Sequence, residues 1–190
     1  MNHLMIDLET MATTPDAAIL SIGACWFEPA GADLVAASTV DMLAPDDKTI
    51  FYRVVKLADQ PGRVIDPDTV TWWMGQSAEA RAEVFPPKDS SNALPLKTAM
   101  AAFQNFVGDA YKKQVWAQGS SFDIVIIEDI FRQYRQPIPW RFWNHRDTRT
   151  AYELASYSPP RESIVAHVAW KDAFQQAKQV QAAYAKVKSS

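Results

Sequence analysis

One cysteine, Cys25, stands among 190 residues, so no internal disulfide can form and a reducing cytosol suits the chain better than a disulfide-stapled secreted scaffold. It lies in the apolar run Ile22-Gly23-Ala24-Cys25-Trp26-Phe27 and reads as a small buried hydrophobe. Long uncharged runs are also missing. Asp7 and Glu9 interrupt the N-terminal segment at once, so neither a membrane-spanning helix nor a secretory leader is expected, and the expectation is a cytoplasmic protein with no membrane partner. Positive charge is not in excess: 19 Lys and Arg face 22 Asp and Glu, for a net charge of −3. That excludes a domain that coats nucleic acid with a broad basic face, but not an enzyme that grips one strand end. Internal repeats and low-complexity tracts are absent.

What remains is the composition of an ordinary globular protein, 48% hydrophobic and 22% charged, with seven tryptophans. The length fits a single domain over residues 1–190, with enough interior for one sheet covered by helices on both faces. Leu4 to Leu8, Ile19 to Phe27 and Ile50 to Val55 read as strands, the third preceded by the turn Pro45-Asp46-Asp47-Lys48. Asp68 to Phe85 reads as a helix with Asp68 or Thr69 as N-cap, and Pro86 to Asn92 as a loop. Leu96, Met100, Phe103, Phe106 and Val107 form a helical stripe. Gln114 to Ala117 predicts a short strand, Phe122 to Tyr134 a helix, and Trp140 to Trp143 a last strand. Thr148 to Leu154 predicts a helix, Ser156 to Arg161 a proline-containing loop, and Trp170 to Lys188, free of Gly and Pro, a terminal helix. A strand meander followed by alternating strands and helices predicts an α/β fold with a five-stranded mixed sheet flanked by helices.

Five residues in three separated places carry the chemistry. Asp7 and Glu9, two apart on a predicted strand, leave the same face while Ile6 and Leu8 pack on the other. Alone, the pair is better explained as a solvated strand face. Asp123 follows Gly119-Ser120-Ser121-Phe122 at a strand-to-helix junction, where open α/β sheets build ligand sites but where Asp also caps helices. Glu128 and Asp129, one turn on, fit a solvated helix face. His167 and Asp172 are five apart at the start of the terminal helix, and a histidine there can abstract a proton near neutrality. His3 and His145 read as structural. Four carboxylates and a histidine, if the fold gathers them, are suited to hydrolysing a phosphodiester with two divalent ions.

The order D-x-E, then Asp at a strand-helix junction, then H-x-x-x-x-D resembles the DEDD-type 3′→5′ exonucleases of the ribonuclease H-like superfamily, in their histidine subgroup. The tyrosine subgroup would place Tyr where Val168 stands. Asp7-Leu8-Glu9-Thr10-Met11, Ala18 to Ala24, Thr71-Trp72-Trp73, Gln76-Ser77 with Ala80-Arg81, Val115-Trp116, Gly119 with Phe122-Asp123, and Arg146-Asp147-Thr148 extend the likeness over nearly the whole chain. They resemble a compact branch that includes phage and prophage exonucleases and a mycobacterial exoribonuclease. Gln118, Val168 and Lys171 depart from the usual Asn, Asn and Asp.

The resemblance implies a ribonuclease H-like fold in which Asp7, Glu9, Asp123 and Asp172 bind two Mg²⁺ or Mn²⁺ ions and His167 is the general base. The backbone from Leu8 through Thr10 to Met11 would receive the terminal nucleotide, with Met11 or Phe122 stacking on its base. Trp72, Trp73 and Trp116 are better read as packing than as nucleic-acid contacts, and Asp147 caps the next helix as readily as it serves the pocket. The expected activity is removal of nucleoside monophosphates from the 3′ end of a single strand, DNA or RNA. The rivals are a ribonuclease H-like endonuclease and a catalytically silent domain that binds nucleic acid or protein. Oligomeric state stays open: related exonucleases are often homodimers, and several tryptophans could line an interface.

Overall fold

The structure is a computed structural model, and it describes residues 1–31, 34, 49–87, 92–160 and 167–189. The predicted turn at 45–48, most of the loop at 86–92 and Arg161 at the end of the proline loop lie outside these residues. Strands β1 (His3–Thr10), β2 (Ile19–Phe27) and β3 (Ile50–Val55) form an antiparallel meander. Helices α1 (Pro67–Met74) and α2 (Ala78–Val84) follow, then the short strand β4 (Ala93–Leu94) and helix α3 (Leu96–Val107). The chain continues with β5 (Gln114–Ala117), α4 (Asp123–Gln133), β6 (His145–Asp147), α5 (Thr148–Leu154) and α6 (Ala169–Ser189). The sheet is mixed, in the order β4-β3-β2-β1-β5-β6, with β4, β5 and β6 each parallel to their neighbours.

All nine residues of β2 are buried, as a central strand covered on both faces requires. On one face Leu4, Ile6 and Leu8 join Phe103 of α3 and Ile124, Ile127 and Phe131 of α4. On the other, Met5, Cys25, Phe27 and Trp116 pack under Tyr152 of α5 and Ala173, Ala177 and Val180 of α6. The alternation along β1 therefore sends Asp7 and Glu9 to the side that α6 covers. Cys25 is fully buried, as its apolar run predicts.

Six strands replace the expected five. β4 has two residues and is too short to leave an alternating pattern. The last strand begins at His145, because Trp140 turns inward against Phe103 and Phe131 and donates Nε1–H to Glu128, while Phe142–Asn144 makes a 3₁₀ turn. The predicted helix 68–85 is two helices. Asp66 caps the first, accepting from the Asp68 and Thr69 N–H groups, with Pro67 at its first position. Ser77 caps the second by accepting from Ala80 N–H. Glu128, expected on a solvated face, is buried and ties α4 to β6 through Trp140 and His145. Its neighbour Asp129 pairs with Arg63, whose guanidinium also donates to the Ala17 and Pro15 carbonyls of the β1-β2 connection.

One contact sets the height of α6 over the sheet. A Cβ at Gly23 would lie 2.1 Å from the Ala169 carbonyl carbon and 2.2 Å from Trp170 N, so the first turn of α6 rests on bare β2 backbone. Gly23 is also the register partner of Asp7. Gly23→Ala should therefore push α6 off the sheet and cost on the order of 1–3 kcal/mol, as overpacking does. The urea midpoint reads this loss, and an unchanged midpoint would show that α6 can shift without penalty.

Candidate active site

Three remote segments converge on the α6 side of β1. Asp7 and Glu9 come from the strand itself, and Asp172 comes from the first turn of α6. Each of the three offers a carboxylate oxygen, and these oxygens lie within 4.8 Å of one another. Asp123 opens α4, and its Oδ1 accepts from Leu8 N–H at 2.9 Å, which fixes it against the β1 backbone between Asp7 and Glu9 in sequence. Gln176, one turn beyond Asp172, donates to Asp7 Oδ1 at 2.8 Å. Asp172 Oδ2 accepts from the His167 and Val168 N–H groups at 3.0 and 3.2 Å, folding the approach to α6 back on its own carboxylate.

His167 has φ of +71°, a left-handed conformation uncommon for any residue but glycine. It brings Nδ1 to 3.9 Å from Glu9 Oε2. Its ring meets Trp72 edge to face with centroids 4.8 Å apart, and Trp73 at 5.9 Å. Trp73 is buried and anchored by its Nε1–H to the Thr10 carbonyl. Trp72 is 46% exposed, at odds with a packing role alone.

The electrostatics follow from crowding like charges away from water. Burial, then Asp123, Glu9 and Asp172, hold the Asp7 carboxyl far above the usual carboxylate range. Burial, with Asp172 and Asp123 behind it, pushes Glu9 up to about 8. Asp123 rises to about 7 through burial, against the opposing pull of the Leu8 hydrogen bond and the Arg149 guanidinium. Asp172 is raised by burial, opposed by the His167 N–H bond. Hard oxygen donors in this number and at this spacing suit a small divalent cation, whose charge would remove the cost of ionising them together. The donor set therefore fits a metal centre, with Asp7, Glu9 and Asp172 able to share an ion and Asp123 beside them.

Of the expected nucleotide contacts, Leu8 and Met11 are buried, and Thr10 Oγ1 donates to the Ala12 carbonyl. Phe122 is partly buried and borders the site at the start of α4. Trp116 is a core residue whose Nε1–H donates to His3 Nδ1. His145 bonds to Glu128, so both remaining histidines have structural partners. Asp147 is the N-cap of α5, accepting from Arg149 N–H, and also takes the Ser120 N–H. Two contributors escape a reading of motifs. Gln176 sits in a helix of high general propensity, where only its spacing of four from Asp172 could have singled it out. Arg149 reaches back over Gly119, where φ is +107° and a Cβ would lie 2.7 Å from Nη1; the glycine gives the guanidinium its path toward Asp123.

Between about pH 4 and about pH 8 the folded chain holds protons on Glu9 and Asp123 that the unfolded chain has released. The folded state binds more protons in this window, so stability falls as pH rises through it. His3, lowered by burial, works in the opposite sense near its own titration. Metal-free protein should lose urea resistance from pH 5 to pH 8, and Glu9→Gln should flatten the decline. An equal slope in the variant would mean that Glu9 does not titrate in the field of its neighbours.

Residues 2–184 match the model of a family described as the 3′-5′ exoribonuclease Rv2179c-like domain. An exodeoxyribonuclease of Enterobacteria phage T4 is 29% identical over 171 residues, covering 80% of this chain and 71% of the phage protein. With nearly its full length matched, and with these acids gathered beside one strand, the chain belongs to the 3′-5′ exoribonuclease Rv2179c-like domain family and is a nuclease.

Proposed function

We propose that the protein is a metal-dependent 3′→5′ exonuclease that hydrolyses the last phosphodiester of a single strand and releases a nucleoside monophosphate. The observation that carries this reading is the meeting of Asp7, Glu9 and Asp172 within 4.8 Å, with Asp123 hydrogen-bonded to the same strand. Asp7, Glu9, Asp123 and Asp172 would hold two Mg²⁺ or Mn²⁺ ions. When bound, such ions offset the carboxylate charge and stabilise the anionic transition state of phosphodiester hydrolysis.

The chain's own groups divide the remaining work. His167 takes the proton of the attacking water; its left-handed backbone and the Trp72 edge hold the ring beside Glu9. Gln176 keeps the Asp7 carboxylate turned toward its neighbours, and the Asp172 carboxylate is steadied by two backbone N–H groups. Arg149 provides a cation on the Asp123 side for the entering phosphate. Phe122 and the exposed face of Trp72 offer apolar surface to the terminal base, and stacking of this kind tolerates any base.

A 5′-labelled single-stranded oligonucleotide with Mg²⁺ or Mn²⁺ should give a ladder that shortens from the 3′ end. Internal cuts would point to an endonuclease, and an intact strand to a binding domain. The family description names RNA and the phage relative's name DNA, so matched oligonucleotides of both sugars belong in the same assay. Asp7→Asn and Asp123→Asn should each abolish cleavage while leaving the fold intact, since each removes one member of a like-charge cluster. Full activity in either would remove the metal assignment. His167→Ala should lose roughly 10²–10⁴-fold, partly recovered at high pH where hydroxide replaces the base; a pH-independent loss would make His167 structural.

A further inference from the structure

The acidic centre lies at the carboxyl end of β1, but the described surface has a basic region at the opposite end of the sheet. Tyr111 and Lys112, just before β5, and Arg141, Trp143 and Arg146, around the start of β6, line an open cavity of about 430 Å³. Lys113 is turned away from it, with its ammonium 4.5 Å from the centre of the Trp26 ring on β2. Among the described residues, none of Lys112, Arg141 and Arg146 is ion-paired with a carboxylate. The nearby Asp109 is turned to the Tyr111 N–H. In a chain of net charge −3, three cations without carboxylate partners in one place form a local field of the opposite sign.

Aromatic rings are interleaved with these charges. Tyr111 is 44%, Trp143 57% and Phe142 77% exposed, an unusual concentration of large apolar surface in water. The Arg141 guanidinium lies 3.5 Å from the Tyr111 ring centre and 5.1 Å from that of Trp143. Its Nε has no hydrogen-bond partner among the described residues. Stacked rings with cations between them are the chemistry that holds single-stranded nucleic acid, bases on the rings and phosphates on the charges.

We propose that this surface is a second binding site, for the single strand on the 5′ side of the end being cut. The proposal rests on the exonuclease reading for the direction of the strand, and on the charge and rings of the surface for its occupant. His3 pairs in register with Gln114, and Asp7 lies four residues further along β1, while β6 stands two strands from β1. At ordinary sheet spacings the two sites are on the order of 16 Å apart. A dinucleotide in the acidic centre cannot reach Trp143; a strand of several nucleotides can. The surface then supplies length-dependent affinity, reads no sequence and takes no part in the chemistry.

The test compares wild type, Trp143→Ala and Lys112→Glu, both substitutions at exposed positions, on a dinucleotide and on a single strand of about twelve nucleotides. For the long strand KM should rise roughly five- to hundred-fold in Trp143→Ala, with kcat unchanged and dinucleotide kinetics unaltered. Lys112→Glu should raise KM for the long strand and reduce its dependence on salt. Unchanged KM for the long strand overturns the proposal, as does an equal loss on the dinucleotide, which would mean damage transmitted through the fold. A changed oligomeric state with unchanged KM would make the surface a contact between copies of the chain, and would also overturn it. Fluorescence anisotropy of a labelled strand with Asp7→Asn separates the two readings. If wild type cleaves nothing and binding still depends on Trp143 and Lys112, the surface stands and the exonuclease reading falls.

Discussion

The site exists because the first turn of α6 lies directly on the backbone of β2 at Gly23. Any side chain there would meet the Ala169 carbonyl group, and Asp172, three residues further, would be carried away from Asp7. The rest of the helix is built for the same close approach: Ala169, Ala173, Ala177 and Ala183 are buried at intervals of four or six residues, each too small to hold it off. Tight packing of a long helix against a fully buried central strand is what turns two distant stretches of sequence into one set of ligands. A more ordinary interface, with Leu or Ile at these positions, would hold the helix several ångströms higher and leave Asp172 out of reach.

That closeness creates an electrostatic debt. Three carboxylates lie within 4.8 Å and a fourth is hydrogen-bonded to β1; burial, and then Asp172 and Asp123, push Glu9 up to about 8, and burial pushes Asp123 up to about 7. The hydrogen bonds to Asp7, Asp123 and Asp172 each favour the charged form and oppose the cost of burial. They orient the oxygens before any ion arrives, so a cation meets a partly assembled set of donors. Lys171 adds to this balance in an unexpected way. It stands where the resemblance leads one to expect Asp, lies over the Trp170 ring, and draws down the pKa of Asp172. The chain thus carries a cation beside its last carboxylate.

How far the sequence foretold this depends on how local each signal is. The first three strands, the α4 and α6 spans and the shared face of Asp7 and Glu9 follow from alternation and propensity within a few residues, and the structure agrees with them. Trp140 to Trp143 alternates like a strand yet is not one, because Trp140 is claimed by Phe103, Phe131 and Glu128 from other elements. The break between α1 and α2 was written in Gly75 and the Ser77 cap, but Asp66 and Pro67 outcompeted the later cap candidates. Glu128 looked solvated because its partners, Trp140 and His145, are far along the chain. The five residues of the site were legible as a set only through their order. Gln176 and Arg149, which orient or balance them, carry no motif of their own, and Trp72, though part of the Thr71-Trp72-Trp73 likeness, shows its contact with His167 only when the helices are in place.

The distribution of charge implies an order of events. On the exonuclease reading, the buried acids offer a phosphodiester no attraction until a cation enters, so the strand end would settle in the centre only with the ion present. Elsewhere on the described surface the field differs: the cations just before β5 and around the start of β6 would attract phosphates with or without an ion in the acidic centre. With the second site proposed above, a strand would be held near the enzyme without being committed to cleavage, and the cation would decide when its 3′ end docks. Net charge hides this division. A value of −3 reads as indifference to nucleic acid, whereas the fold gathers Asp7, Glu9, Asp123 and Asp172 at one end of the sheet, where a cation would neutralise them, and sets Lys112, Arg141 and Arg146, without carboxylate partners among the described residues, at the other.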